Sequence, residues 1–508
     1  MKQNGKSNGH LVAIVAMFCI YAMISFVTNL AAPIGTIWGF KFAGNSVLGM
    51  MGNMMNFLAY LFMGIPAGNL LVRIGYKKTA LWAMAVGFVG LLVQWLSSVL
   101  GADTAVFTMT GGETPVIIHL NFIIYLLGAF ICGFCVCMLN TVVCPMLNLL
   151  GGGGKKGNQL LQSGGALNSL SGTLTPLFVG ALIGQLTTKT QMSDVAPLLW
   201  VAMGVFAVAF VVISFVAIPE PNLSTKKTAY SHSPWNFRHT VLGVVGIFFY
   251  VGIEIGIPGT LNFYLADQGA SGAGVVGAAS AIAGAIVAIY WLLMLVGRFF
   301  SGFISGAVST RSQIVAVSTT AILLVVFAIF LPKSQSVEVP SFVYDPVEDT
   351  TEKLVAAEIP QEVAAQFVAS HDTSVIMPYA NKIASELEMS PEQVLECVAN
   401  TPRVPISALL LILCGLCTSV MWGGIFNLAV EGLGKYTAQA SGIFMMMVVG
   451  GGIMPLIQNW IAGAAGYMAS YWLVVAMLAY ILFYGVLGSK NVNTDIPVDE
   501  TEPNAVDL

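Results

Sequence analysis

Residues 51–99 read MGNMMNFLAYLFMGIPAGNLLVRIGYKKTALWAMAVGFVGLLVQWLSSV. Two apolar runs, 47–72 and 79–99, flank a short turn that carries Arg73, Gly75, Lys77 and Lys78. Each run is long enough to cross about 30 Å of hydrocarbon as a helix rising 1.5 Å per residue. Glycine turns the chain and the cations sit at headgroup level, so the stretch is a membrane hairpin. Runs of the same kind recur on either side of it, near 11–32, 118–147, 158–186, 196–218, 239–266, 272–304, 313–332, 405–432, 436–464 and 467–488. The sequence therefore predicts an all-α membrane protein of twelve transmembrane helices, with both termini on one face of the bilayer.

Composition supports this. Of 508 residues, 57% are hydrophobic and 9% charged, against about 25% charged in soluble domains. So few charges cannot clothe a water-soluble body of this size, and lipid must cover most of it. A net charge of −4 points to no polyanionic partner, and no nucleic acid is expected. Cys132, Cys135 and Cys137 read as small packing residues of one span, not as a metal cluster. Five histidines form no Ser/His/Asp set or metal site, and Gly151 to Gly154 before Lys155 and Lys156 lacks phosphate-loop spacing. No enzyme is expected.

Orientation follows from the short loops, because Lys and Arg accumulate on the cytoplasmic side. One set of segments holds Lys2, Lys6, Arg73, Lys77, Lys78, Lys155, Lys156, Lys226, Lys227, Arg238, Arg311, Lys435 and Lys490, and the opposite set holds Lys41 and Lys189. Both termini are expected in the cytoplasm. The exterior segments carry no Asn-x-Ser/Thr acceptor, in keeping with a bacterial inner membrane.

The chain divides into a six-helix bundle over 1–218, a cytoplasmic linker over 219–238, and a second bundle over 239–488. An extracytoplasmic insert, 333–404, interrupts the second bundle, and 489–508 form a tail. Twelve acids stand in the insert against Lys333, Lys353, Lys382 and Arg403. Ser390-Pro391-Glu392-Gln393 predicts a helix start there with a capping box. The two bundles echo each other. Thr175-Pro176-Leu177-Phe178 precedes Gly184 in the fifth span, and Met454-Pro455-Leu456-Ile457 precedes Gly463 in the eleventh.

The turn Gly68-Asn-Leu-Leu-Val-Arg73-Ile-Gly75-Tyr-Lys77-Lys78 resembles the G-x-x-x-D-R-x-G-R-R/K signature of the major facilitator superfamily, with Val72 where the acid usually stands. Further segments resemble its fucose–proton symporter and glucose/galactose branch: Gly64-Ile-Pro66-Ala-Gly68, Leu139-Asn140-Thr141 through Pro145, Phe249-Tyr250-Val251-Gly252-Ile-Glu254, and Ile425-Phe426-Asn427-Leu428 through Gly434, followed by Gly450 to Ile453. The resemblance spans nearly all of the membrane region and excludes the insert. It implies two pseudo-symmetric six-helix bundles that rock about a sugar-sized cargo.

The sequence departs from that branch where coupling should be. The resemblance places carboxylates four residues before Pro33 and five before Pro145, where this chain has Asn29 and Asn140. An amide bonds a sugar hydroxyl but takes up no proton. Transport is therefore expected to be facilitative or linked to a cation, Na⁺ or H⁺, with no other cofactor.

Amides and aromatic faces suit a hydroxyl-rich ring. The candidate sugar contacts are Tyr21, Asn29, Asn140, Gln162, Asn168, Tyr290, Trp291, Trp422 and Asn427, with Asn56, Gln458 and Asn459 as further amides in span interiors. Gln162 matches a glutamine of the resembled branch, whose next asparagine is replaced by Gly165. Glu254 lies roughly 22 Å from the cytoplasmic end of its span, and intramembrane acids are functional by default. It is the candidate coupling residue. Counted from the span ends, Arg298 differs from it in depth by about 13 Å, which predicts no direct pair and a structural role for the arginine. The reading is a sugar carrier acting as a monomer. The alternatives are a proton-coupled symporter working through Glu254 and an exporter of other small molecules.

Overall fold

The computed structural model describes residues 2–42, 46–109, 115–152, 154–183, 191–218, 220, 232–267, 269–275, 279–399 and 401–498. Helix α1 is Lys2–Lys41, and α2 is Ser46–Val99, which contains both spans of the hairpin. Gly75, at φ 86°, breaks α2 between them, a left-handed conformation that glycine adopts without cost. The restarting helix leaves amide donors unpaired. The Glu220 carboxylate accepts two of them, from Tyr76 N at 2.7 Å and Lys77 N at 2.9 Å.

A two-stranded hairpin, β1 (Ala105–Met109) and β2 (Val116–His119), leads into α3, Leu120–Leu150. Helices α4 (Gly154–Ile183) and α5 (Ala196–Phe215) complete the first half. The second half comprises α6 (Arg238–Ala266), α7 (Ala279–Ile304) and α8 (Thr310–Phe330), followed by the insert. In the insert, β3 (Ser336–Glu338) pairs with β4 (Arg403–Pro405) and encloses α9 (Pro346–Ala356), α10 (Gln361–Ser370), α11 (Ala380–Glu386) and α12 (Pro391–Ala399). Helix α13, Ile406–Ala429, returns to the membrane. The next span is interrupted: α14 (Thr437–Met446) joins α15 (Gly450–Ala465) through a short 3₁₀ turn, before α16, Tyr467–Phe483.

Ten described helices are long and apolar enough to cross a membrane. That count takes the two spans of α2 as one and leaves out α4, whose last side chains lie outside the described residues and whose first turns carry Asn158, Gln159, Gln162, Ser163 and Asn168. With both restored there are twelve, the number predicted. The polarity of α4 has a cause in its position, because it packs against α7 and α13 of the other half. One face of α4 is thus an inner wall, while another carries the exposed Leu167, Leu170 and Leu174.

We call the face that bears the α2 turn and the described C-terminal residues the basic face. Near it the halves meet backbone to backbone. A methyl added at Gly442 of α14 would come 2.5 Å from the carbonyl of Gly64, and one at Gly68 would come 3.0 Å from Gly442 Cα. Small residues allow this approach where lipid tails supply no hydrophobic drive.

The insert has a small core of its own, with Leu354, Phe367, Ile376, Ile383 and Val394 buried together. The capping box forms as predicted: Ser390 N donates to Gln393 Oε1 at 2.7 Å, and Gln393 N donates to Ser390 Oγ at 3.3 Å. Both anchors are on the second half. Strand β4 runs directly into α13, and Lys333 Nζ donates to the carbonyls of Ala270 at 2.9 Å and Gly272 at 2.7 Å between α6 and α7.

Candidate functional site

The polar interior is organised around Arg298 of α7, which is 7% exposed. Its Nη1 donates to Ser169 Oγ at 2.7 Å and to the Gly165 carbonyl at 3.3 Å, both on α4. Its Nη2 donates to Glu254 Oε1 at 3.1 Å and to the Tyr250 hydroxyl at 3.5 Å, both on α6. One guanidinium thus ties the two halves together. The planar fork suits this task, since it directs donors two ways at once.

The contact between Arg298 and Glu254 is a salt bridge with side chains 9% and 14% exposed. It overturns the expectation of no direct pair. Depth counted from span ends ignores helix tilt and the reach of a long arginine stem. The pair also changes what each charge means. A lone buried charge in hydrocarbon is expensive, whereas each of these neutralises the other and makes further hydrogen bonds. Pro258, four residues beyond Glu254 in α6, removes the amide that the Glu254 carbonyl would otherwise accept from, which loosens the helix at this level. Gly165 has a role here too: a methyl there would lie 3.4 Å from Arg298 Cδ. The arginine stem therefore runs alongside the Gly165 backbone at ordinary contact distance.

Around this pair stand Gln162, Asn168, Tyr21 and Trp422. Gln162 Nε2 crosses the halves to the Val420 carbonyl of α13 at 2.9 Å. Asn168 Nδ2 donates to the Tyr21 carbonyl at 2.8 Å, holding α4 to α1, and the Tyr21 hydroxyl meets Cys144 Sγ at 3.9 Å. The Trp422 ring stands 6.1 Å from that of Tyr250 and 6.5 Å from that of Phe444. Its indole Nε1 is buried with no partner among the described residues.

Other candidates lie elsewhere. Tyr290 is fully buried inside the second half, its hydroxyl 3.0 Å from Thr418 Oγ1, and Trp291 packs edge-on against it at 5.4 Å. Asn140 is buried in the first half and donates to the Tyr60 hydroxyl at 2.9 Å. Asn29 donates to its own helix, to Ser25 O at 2.8 Å and Ser25 Oγ at 3.2 Å. Asn427 sits near the basic face, donating to the Gly154 carbonyl at 3.1 Å and to Thr310 Oγ1 at 3.2 Å. Of the further amides, Asn56 is buried with Oδ1 unpartnered, Gln458 has neither amide atom bonded, and Asn459 Oδ1 accepts from Thr260 at 3.5 Å. The sequence reading missed Ser169 as a member of the cluster, and it quoted Tyr250 for the resemblance alone. Tyr250 stands one turn before Glu254 on the same helix face, a spacing that was legible.

Asn427 belongs to a second constellation that closes the basic face. Asn158 Nδ2 donates to Ser305 Oγ at 2.9 Å, Lys155 Nζ to the Ala307 carbonyl at 3.0 Å, and Ser441 Oγ to the Thr141 carbonyl at 3.3 Å. These bonds link the halves, and with the Gly64–Gly442 contact they seal that end. Among the described residues that make these bonds, Lys155 alone carries a charge. Val72 carries no acid into it.

No family model matches the chain. Over 488 residues it is 27% identical to a glucose/galactose transporter of Brucella abortus, covering 94% of each chain. A putative glucose/galactose transporter of Helicobacter pylori is 24% identical over 458 residues, covering 85% of this chain and 86% of that one. Among solved structures, the chain superposes on a crystal structure of the E. coli fucose–proton symporter FucP, in the outward conformation, with a TM-score of 0.68 at 15% identity. That match covers 95% of this chain and all of the other. The fold is that of the major facilitator superfamily, and the relatives found belong to the branch whose motifs the sequence resembles. They are named as transporters and none as an enzyme.

Proposed function

We propose that this chain moves a hexose or deoxyhexose across the cytoplasmic membrane of a bacterial cell by alternating access, as an uptake carrier working as a monomer. Both termini face the cytoplasm in this reading, so the sealed basic face is the inner one. The observation that carries the sugar assignment is the meeting of α1, α4, α6, α7 and α13 around Arg298. There amides, an arginine fork and the faces of Tyr21, Tyr250 and Trp422 converge on one level of the bundle. Fork and amides bond vicinal hydroxyls, and rings cover the apolar face of a pyranose. The whole-length likeness to glucose/galactose transporters supports the same cargo.

Coupling runs through the second half in this reading. Asn29 and Asn140 hold no proton, and Glu254 is the carboxylate that the described spans place in the interior. The carrier is then facilitative, or it is linked to Na⁺ bound by oxygens near Glu254. A second reading has its own support in the Arg298–Glu254 pair. A proton on Glu254 would weaken that bond and leave the arginine held by α4 and, on α6, by the Tyr250 hydroxyl, so a proton-coupled symporter would use this same carboxylate.

Uptake of a labelled hexose panel by cells lacking their own carriers tests the cargo. Uptake of one or more sugars, competed by unlabelled sugar, is expected. Failure of every sugar, together with competition by lipophilic cations, would instead assign an exporter. Proteoliposomes with imposed Na⁺ or pH gradients then separate the couplings. Uptake that needs a pH gradient but is unchanged in Glu254→Gln would rule out both roles for this carboxylate.

A further inference from the structure

Between α4 and α7, on the outer surface of the bundle, runs an apolar groove of about 590 Å³. One wall belongs to the first half, with Leu167 and Leu170, and the other to the second, with Phe299 and Phe303. All four side chains are between 38% and 66% exposed, so at this depth they face hydrocarbon. The polar residues that line the groove, Gln159 and Ser163, cluster toward its basic-face end. Gln159 is half-buried, and its amide makes no hydrogen bond among the described residues. One turn below it stand Lys155 and Lys156, both exposed. Lys155 Nζ reaches across the seam to the Ala307 carbonyl, just past the end of α7.

We infer that this seam binds one anionic phospholipid of the inner leaflet. An acyl chain lies along the groove, an ester carbonyl takes the Gln159 amide, and the phosphate group meets Lys155 and Lys156. The dimensions agree. Leu170 stands 15 residues beyond Lys155, about 22 Å along the helix, which spans the headgroup zone and one leaflet of a core about 30 Å thick. The volume is that of a pocket for a single small ligand. Charge complementarity selects the occupant, since basic pockets between spans on the cytoplasmic side hold anionic headgroups. A lipid seated here touches both halves. Any alternating motion must remodel the α4–α7 seam, so such a lipid favours the state closed at the basic face by its differential affinity. This holds whichever solute the carrier moves.

The test uses the full chain in nanodiscs doped with phosphatidylglycerol or phosphatidylcholine, each with the same diazirine-bearing tail, followed by peptide mapping of the crosslinks. The expected result is labelling concentrated on 163–170 and 295–303, several-fold stronger for phosphatidylglycerol, with that preference shrinking at high salt. A Lys155→Gln/Lys156→Gln double variant should bring the phosphatidylglycerol yield down to the phosphatidylcholine level. Equal yields from the two headgroups on the unaltered chain, or labels spread evenly around the bundle, would overturn the proposal without recourse to any variant.

Discussion

Arg298 holds four acceptors on two helices of opposite halves, so its geometry matters as much as its charge. Arg298→Lys keeps the charge but loses the fork, and hydrogen bonds from a charged donor contribute about 1.5–3 kcal/mol each. The expected outcome is a loss of sugar affinity of about tenfold or more, read as a rise in the half-saturating concentration for uptake. Glu254→Gln leaves the guanidinium without its counter-charge. Breaking a buried pair on one side costs roughly 3–5 kcal/mol, so this variant should unfold in detergent at lower temperature than the parent, and a double Arg298→Met/Glu254→Gln variant should recover part of the loss. Equal thermal stability of the three would show that the pair carries little energy. Sequence alone placed Gln162, Asn168, Tyr21 and Glu254 among the candidates, because amides, rings and acids are conspicuous in apolar spans. It missed the partnership of Glu254 with Arg298, because residue counting gives depth along an ideal straight helix and says nothing of tilt or side-chain reach.

Single helices carry the switching parts. The second limb of α2 begins at Gly75 with its first amides held by Glu220, from a segment more than a hundred residues away in the sequence. Glu220→Ala removes that cap. Loss of a capping acceptor costs about 1 kcal/mol, a drop of a few degrees in the unfolding midpoint, with uptake retained at permissive temperature. At the other side of the seal, Gly442 meets Gly64 with no space for a side chain. Gly442→Val should hold the basic face ajar. The check is alkylation of an introduced Asn158→Cys: slow in the parent background, fast with Gly442→Val, and accompanied by loss of net uptake. The helix pattern itself was readable from hydropathy nearly throughout. What hydropathy did not show is the contacts, since the glycine run that precedes α4 gives no warning of the bonds that Asn158 and Asn427 make there.

For the molecule as a whole, the insert is an appendage with its own core. Glu338 and Arg403 stand opposite each other at the end of the β3–β4 ladder, so residues 339–402 can be replaced by an Asn-Gly turn that suits a two-residue hairpin. The shortened chain is expected to fold and to take up sugar as before, and loss of uptake in a folded protein would give the insert a working role. Cys397 offers an independent check of orientation. Burial raises the pKa of this thiol above its ordinary value. Since the thiolate is the reactive form, labelling by a membrane-impermeant maleimide should be slow at neutral pH, quicken as pH rises, and occur from outside intact cells. Labelling only after lysis would reverse the assigned orientation. The insert's position and one of its helix starts were legible from charge and capping signals; its attachment was not, because Lys333 reaches carbonyls that no sequence pattern links to it.

That attachment has a practical consequence. Because the insert is tethered through Lys333 and β4 to the second half, its tilt is expected to follow that of the helices beneath. An antibody fragment raised against α9–α12 would serve as a fiducial for electron microscopy, and a dye on the insert paired with one on the β1–β2 hairpin would read the carrier's rocking as a change in separation, turnover by turnover.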